Sequence, residues 1–316
     1  MKSVSRVRKH TPEHKRISKA FSQSPEKLIK LKDSFIFFSD DRTCYRATKA
    51  DEQLTIYRQS GNKHIFRRSR NPDVPKTRDS TKMDALKHHV SFDLPLIAPD
   101  HDAKDIKSQH YMIPITALNK KRRITQNAVM GGSAHEHINE QPSNTFFTPD
   151  GRHEWLHLQA HSHGGKQAVE NLVAGSRDSN SLQIGVEDAL IFCRNTLNSV
   201  SSNLLMNATV KCATLPETNI GTICEYLITI HDTENAKNIA CEPISINLQY
   251  HSSEQDNNLH YDHVRVIYKK TCEMIFNKTN ELLTIDDLLG DEIAINNSAE
   301  QRLSNDSQDQ KMSDDE

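Results

Sequence analysis

The stretch 154–161, "EWLHLQAH", constrains the fold of this chain more than any other part of the sequence. Polar and apolar residues alternate along it, which predicts a β-strand with Leu156 and Leu158 on a core face. The other face carries a tryptophan, a glutamine and two histidines: Trp155, His157, Gln159 and His161. Gly164 and Gly165 follow and predict a sharp turn. The strand therefore holds imidazole groups beside a core.

A second strand, a helix and a sheet are predicted after this turn. "NLVAG" is typical of a short strand, and a helix begins near Ser176, with Ser176 or Asp178 as its N-cap. Its apolar stripe follows helical spacing and consists of Leu182, Val186, Ala189, Leu190, Cys193 and Leu197. Three alternating β-branched runs then predict an antiparallel sheet over the helix: "NATVKCATL", "TICEYLITIHD" and "PISINLQYH". The later run "VRVIYKKTCEMIF" fits either a strand or a helix.

Four regions follow from this pattern, and together they predict an α+β protein. Residues 1–32 are basic and Ser-rich and are expected to be disordered. Residues 33–110 contain strand-like runs, which predict a small antiparallel sheet followed by a linker. Residues 111–290 form the main domain, and residues 291–316 are predicted to be an acidic, disordered tail.

The charge of the chain is divided between its two halves. Residues 1–130 hold 28 Lys and Arg against 14 Asp and Glu, whereas residues 131–316 hold 12 against 28. A basic half is typical of a protein with a polyanionic partner, although a solvated basic region gives the same composition. The acidic half either holds the basic half against it or keeps the chain soluble.

Other features of composition indicate the setting of the protein. No apolar run approaches the roughly 18 residues of a membrane helix, which predicts a soluble protein with no membrane partner. The N-terminus lacks the apolar segment of a secretory signal, so we expect a cytoplasmic protein or one exported without a classical signal peptide. Six scattered cysteines without a C-x-x-C pair predict reduced thiols rather than a zinc ribbon or a disulfide framework.

Three side chains suggest chemistry. A positioned imidazole such as His157 is a natural general base, although most strand histidines are ordinary polar residues. Asn180 and Glu187 are seven residues apart and share a helix face opposite the apolar stripe. Amide and carboxylate oxygens of this kind suit Mg²⁺ better than zinc, whereas an exposed polar helix surface gives the same pattern.

The order of these residues resembles the ββα-metal finger of the His-Me superfamily, which includes HNH enzymes and DNA/RNA non-specific endonucleases. "HLQA" at 157–160 corresponds to the His-Leu-Ala-Ala of those endonucleases. "ENLVAG" supplies Asn171, "DSNSLQ" supplies Asn180 and "GVED" supplies Glu187, at spacings of nine and seven residues. The resemblance covers about 35 of the 316 residues. The same stretch resembles, more faintly, the nuclease modules of bacterial polymorphic toxins.

The resemblance implies a ββα-metal core with a flanking antiparallel sheet, and a role for each matched residue. His157 would be the general base that deprotonates the attacking water. Asn180 would be the direct ligand of a single Mg²⁺ or other divalent ion such as Mn²⁺, and Glu187 would hold a metal-bound water. Asn171 would brace the loop between strand and helix.

The sequence departs from the family directly before His157. Glu-Trp-Leu stands where the family has Asp-Arg-Gly, so the phosphate-contacting arginine is missing at that point. Arg152, Arg177 and the "KKRR" of 120–123 are candidate replacements. His161 is the alternative base and a candidate substrate contact, because it shares the predicted face of His157.

The remaining histidines of this region are weaker candidates. We expect His153 and His163 to be polar surface residues, with a phosphate contact as the alternative for either. The "HEH" of 135–137 lacks the i,i+4 spacing of a helical zinc-binding pair.

These observations predict a Mg²⁺-dependent endonuclease that acts on DNA, or also on RNA, with little sequence specificity. A non-catalytic nucleic-acid-binding or protein-binding module on the same scaffold is the alternative. A zinc-dependent hydrolase built on the histidines is a third hypothesis. A nuclease of low specificity endangers its own cell, so a delivered toxin with a small acidic immunity partner fits, and a phage or mobile-element nuclease fits equally.

Overall fold

The computed structural model describes residues 4–9, 11–23, 28–31, 34–38, 44–50, 53–59, 90–92, 106–118, 124–140, 152–250 and 263–283. Within these ranges the chain is an α+β protein whose strands pair in antiparallel ladders, as the sequence predicts. None of the helices in these ranges is long and apolar enough to cross a membrane. The acidic tail and the "KKRR" cluster lie outside the described residues.

The N-terminal region forms a five-stranded sheet with one helix. Its elements are β1 (Val4–Arg6), α1 (Pro12–Gln23), β2 (Leu28–Leu31), β3 (Ser34–Phe38), β4 (Cys44–Ala50) and β5 (Gln53–Gln59). The strand order is β1-β5-β4-β3-β2, and the small antiparallel sheet predicted after residue 33 is therefore present. The expected disorder of residues 1–32 is not confirmed, because β1, α1 and β2 lie there. Ile17 of α1 is buried with Tyr45 and Ile56, which gives this basic segment an apolar anchor.

The remaining elements build a larger unit. They are β6 (Val90–Ser91), β7 (Ile106–Met112), α2 (Gln126–Met130), α3 (Ala134–Asn139), β8 (His153–His157), β9 (Leu172–Ser176), α4 (Arg177–Val200), β10 (Leu204–Thr214), β11 (Gly221–Asp232), β12 (Lys237–Ala240), β13 (Ile244–Asn247) and the helix α5 over residues 263–283. Six strands form one sheet in the order β6-β13-β11-β10-β7, with β12 also on β11. The domain boundary expected at residue 111 falls inside β7. This sheet therefore also contains β6 and part of β7, which come from the predicted linker.

The core lies between this sheet and two helices. Every member of the predicted apolar stripe of α4 is buried. The ambiguous run after residue 263 is helical, because its buried residues Val264, Ile267, Cys272 and Phe276 recur at helical spacing. The two helices approach so closely that a Cβ at Gly185 of α4 would lie 2.9 Å from the backbone oxygen of Val264.

The cysteines agree with the expectation of reduced thiols. Five of them have described side chains, and all five are buried and outside any disulfide: Cys193, Cys212, Cys224, Cys241 and Cys272. Burial raises the pKa of the Cys212 thiol to about 12, so it stays protonated at neutral pH. These thiols contribute as small apolar groups.

Candidate active site

A two-stranded hairpin leads directly into a long helix at the centre of the candidate site. β8 pairs antiparallel with β9, with Trp155 opposite Ala174 and His157 opposite Leu172. Ser176 ends β9 and caps α4, since its hydroxyl accepts a hydrogen bond from the backbone nitrogen of Ser179 at 3.0 Å. The chain order in this region is therefore strand, loop, strand, helix.

The two faces of the hairpin are covered differently. On one face, Leu156 and Val173 join the main core. On the other, Trp155 belongs to a second apolar cluster that also contains Ala134 and Ile138 of α3. The Trp155 indole nitrogen donates to the backbone oxygen of Gly132 at 3.0 Å. Leu156 and Trp155 therefore lie on opposite faces of the strand, as the alternation predicts.

The strand is shorter than predicted. β8 ends at His157, and residues 161–163 form a 3₁₀ turn. The expectation that Gln159 and His161 continue the face of His157 as strand residues was wrong. The cause lies in the following loop, where the backbone of Gln159 bonds to the side chain of Asn171 instead of to a strand partner.

His157 is held by two glutamines. Its Nε2 lies 2.5 Å from Oε1 of Gln167, and its Nδ1 lies 3.4 Å from the amide nitrogen of Gln126, which donates at 2.7 Å to the backbone oxygen of Trp155. With Oε1 of Gln167 facing the ring, Nε2–H is the donor of this contact, and the lone pair of Nδ1 faces the amide nitrogen of Gln126. The ring of His161 is 6.4 Å away between centroids. The local chemistry of His157 suits proton transfer.

Asn171 joins the two ends of the loop. Its side chain is buried, its Oδ1 accepts from the backbone nitrogen of Gln159 at 2.8 Å, and its Nδ2 donates to the backbone oxygens of Gln159 and Lys166 at 3.0 and 2.9 Å. A Cβ at Gly165 would lie 1.8 Å from the Gln159 oxygen. The loop therefore needs a glycine at this position and an amide at position 171.

Asn180 contacts a carboxylate. Its Nδ2 donates to Oε2 of Glu154 at 2.7 Å, and the other oxygen of Glu154 lies 3.6 Å from Nε of Arg177. Arg177 and Glu154 are about half exposed, and Arg152 is exposed. Glu154 was not among the residues that the sequence singled out, although it stands three residues before His157, where the endonucleases that this stretch resembles have an aspartate.

Strand alternation separates this cluster from His157. Glu154 and Leu156 point to one face of β8, whereas Trp155 and His157 point to the other. The described contacts therefore join Asn180 to Glu154 and His157 to Gln126 and Gln167, without a contact between the two groups.

Glu187 is more enclosed than expected for a residue on a polar helix face. The residue is half-buried, but its carboxyl group is enclosed and interacts electrostatically with Tyr111, Cys224 and Tyr226 of the sheet. Burial, together with the charge of Asp188, raises the pKa of Glu187 to about 8. Glu187 is therefore mainly neutral at pH 7.

His163 corrects a second expectation. It is buried rather than a surface residue, with Nε2 3.0 Å from the backbone oxygen of Glu187 and Nδ1 3.4 Å from the hydroxyl of Tyr111. Burial lowers the pKa of His163 to about 4, because the charged imidazole loses its hydration. The turn after β8 folds this side chain inward, which strand alternation does not reveal.

Across the described ranges, no group of three or more His, Cys, Asp or Glu residues is arranged to hold a metal ion. Comparison with protein-family models, curated proteins and solved structures finds no match to this chain.

Proposed function

We propose that this protein is an endonuclease of the ββα-metal kind that hydrolyses DNA, or also RNA, with Mg²⁺ or Mn²⁺. One observation carries the proposal. His157 ends the first strand of a hairpin whose loop is tied by Asn171, and the second strand runs straight into a helix with Asn180 in its first turn. This is the order in which the His-Me family arranges its base, its bracing residue and its metal ligand.

His157 acts as the general base in this proposal. Its Nδ1 takes the proton of the attacking water once that water replaces the 3.4 Å contact with the Gln126 amide, while Gln167 holds Nε2–H and thus the orientation of the ring. General-base catalysis by a positioned histidine contributes about 10²–10⁴-fold to a rate. His161, within 6.4 Å of the same ring, is the alternative base or a phosphate contact.

The oxygen donors at the start of α4 fit a hard divalent cation. Asn180 offers its amide oxygen, and the adjacent Glu154 offers a carboxylate. A Mg²⁺ ion held there would neutralise charge at the scissile phosphate and stabilise the leaving oxygen. Arg177 binds Glu154 of this pair and is joined to Arg152 by a backbone hydrogen bond, so both guanidinium groups would contact the phosphate backbone of a bound nucleic acid. Glu187 orders a water through its carboxyl group, whose pKa a nearby cation would lower.

A non-catalytic nucleic-acid-binding or protein-binding module is the second candidate. It is favoured by the placement of Glu154, the partner of Asn180, and His157 on opposite faces of β8, because a general base and a metal ion must reach the same phosphate. The basic half of the chain gives phosphate attraction in either case.

Plasmid cleavage separates the two candidates. We expect the purified full chain to nick supercoiled DNA with Mg²⁺ or Mn²⁺ and to stop when EDTA is added. His157→Ala should lower the rate at least about 100-fold, whereas His110→Ala, a change of an exposed histidine on β7, should leave it intact. If the His157→Ala variant still cleaves DNA, the general base is another group, such as His161. DNA binding without cleavage under any divalent ion supports the binding module.

The setting that we propose is a delivered toxin with an acidic immunity partner, or a phage or mobile-element nuclease. The first predicts that a small acidic protein co-purifies with the chain and suppresses cleavage. A chain that is tolerated by its host without any such partner supports the second.

A further inference from the structure

A pair of histidines lies on the side of the hairpin that α3 covers. His135 of α3 and His153 at the start of β8 face each other with their Nδ1 atoms 3.0 Å apart. The two rings are nearly parallel, with centroids 5.3 Å apart and an interplanar angle of 21°. The contact is solvent-exposed, so an ion from solution can reach it.

The spacing of the two nitrogens matches that of neighbouring ligands on one ion. Metal–imidazole bonds are about 2.0–2.1 Å long, so two of them at a right angle place their nitrogens about 2.9 Å apart. Square-planar and octahedral ions use this angle, and Cu²⁺ and Ni²⁺ favour it. Without an ion, the same contact is an N–H···N hydrogen bond, in which one ring is protonated at Nδ1 and the other ring accepts.

Asn139 can set the tautomer of His135. Its Nδ2 lies 2.9 Å from Nε2 of His135, so as placed the amide donates to Nε2 and the proton of the ring is on Nδ1, towards His153. Metal binding through Nδ1 requires this amide to flip, so that its oxygen accepts Nε2–H and leaves the lone pair on Nδ1, which is how metal-binding histidines are commonly oriented. Ser133 and Glu136 form a capping box that fixes the start of α3.

We propose that His135 and His153 bind one divalent transition-metal ion through their Nδ1 atoms, with water in the remaining positions. Imidazole nitrogens select Cu²⁺, Ni²⁺ or Zn²⁺ over Mg²⁺, which prefers oxygen. The site is separate from the oxygen donors of Glu154 and Asn180 and does not depend on the endonuclease activity. With two protein ligands among the described residues, it binds more weakly than a four-ligand structural zinc site.

Copper binding to the full chain, purified without a histidine tag, tests the proposal. We expect one Cu²⁺ per chain in calorimetry, with two nitrogen donors in its electron paramagnetic resonance spectrum. His135→Ala and His153→Ala should each weaken this binding about tenfold or more, and His110→Ala, the matched control, should not change it. Equal affinity in all four proteins overturns the proposal, as does the absence of a saturable site.

Two further experiments separate loss of the site from misfolding of a variant. One uses a variant that keeps both histidines, and the other uses the unmodified chain. Asn139→Ala should keep one ion per chain but weaken binding about 10-fold, because loss of the orienting partner of a ligand costs about 10–100-fold. In the unmodified chain, Ni²⁺ should protect His135 and His153, but not His110, from diethylpyrocarbonate. Equal modification of the three histidines with and without Ni²⁺ contradicts the site.

Discussion

The side-chain amide of Asn171 pairs with both main-chain polar groups of Gln159, through hydrogen bonds of 2.8 Å to the nitrogen and 3.0 Å to the oxygen. A backbone segment that leaves a strand loses its partners there, and Asn171 replaces them. The exit from β8 is therefore set by a residue that lies twelve positions later.

Loss of this amide should destabilise the protein. We expect Asn171→Ala to lower the free energy of unfolding by about 2–4 kcal/mol, since three hydrogen bonds disappear and buried backbone groups lose a partner. Urea denaturation measures the change. Asn203→Ala, which removes an amide bonded to Glu234 at the surface, should cost less than about 0.5–1 kcal/mol. Equal costs for the two variants would show that Asn171 does not carry the loop.

Gly165 gives a second, steric prediction. A methyl group there would meet the Gln159 oxygen at 1.8 Å, so Gly165→Ala must displace the loop. We expect a loss of about 1–3 kcal/mol and, if His157 is the base, a fall in cleavage rate. Gly132→Ala is the control, because its nearest neighbour would be 3.5 Å away. A Gly165→Ala protein as stable as that control contradicts the close approach of the loop backbone to position 165.

The metal ligands can be ranked by titration. We expect Asn180→Ala to raise the Mg²⁺ concentration that gives half-maximal cleavage more than Glu187→Ala does, because Asn180 is the proposed direct ligand. Glu154→Gln should raise it as well, since the charged oxygen beside Asn180 is lost. Superimposable titration curves for the Asn180→Ala variant and the unmodified chain would exclude direct ligation by Asn180.

Glu187 should make stability depend on pH. Its pKa of about 8 in the folded chain lies above its ordinary value of 4.5. Between these two pH values the folded state binds more protons than the unfolded state, so the free energy of unfolding falls as pH rises from 4.5 to 8. Between pH 6.5 and 8 the loss should be about 2 kcal/mol. Glu187→Gln, which keeps the shape without the charge, should flatten this slope in urea denaturation. An unchanged slope would show that another group titrates there.

His163 acts in the opposite direction at lower pH. Its pKa of about 4 in the folded chain lies below the ordinary 6.5, so the unfolded state takes up its proton first. Stability should fall as pH drops from 6.5 towards 4. His163→Gln should reduce this loss, and His110→Ala should not; the same acid profile in both variants would rule out His163 as the cause.

The sequence by itself determined the α+β class, the indole-bearing and apolar faces of β8, the apolar stripe of α4 and the three antiparallel strands that follow it. These features follow from periodicity, because burial of one face leaves a repeat of two or 3.6 residues in the chain. The same reasoning left residues 263–283 open, since a short apolar run fits both repeats.

Only the tertiary structure decided where β8 ends and which side chains meet beyond it. The end of the strand at His157, the burial of His163, the enclosed carboxyl of Glu187 and the pairing of Asn180 with Glu154 all depend on segments far apart in sequence. Periodicity describes which face of an element is buried. It carries no information about which distant residue supplies the partner, because that depends on how the loop between β8 and β9 turns the chain inward.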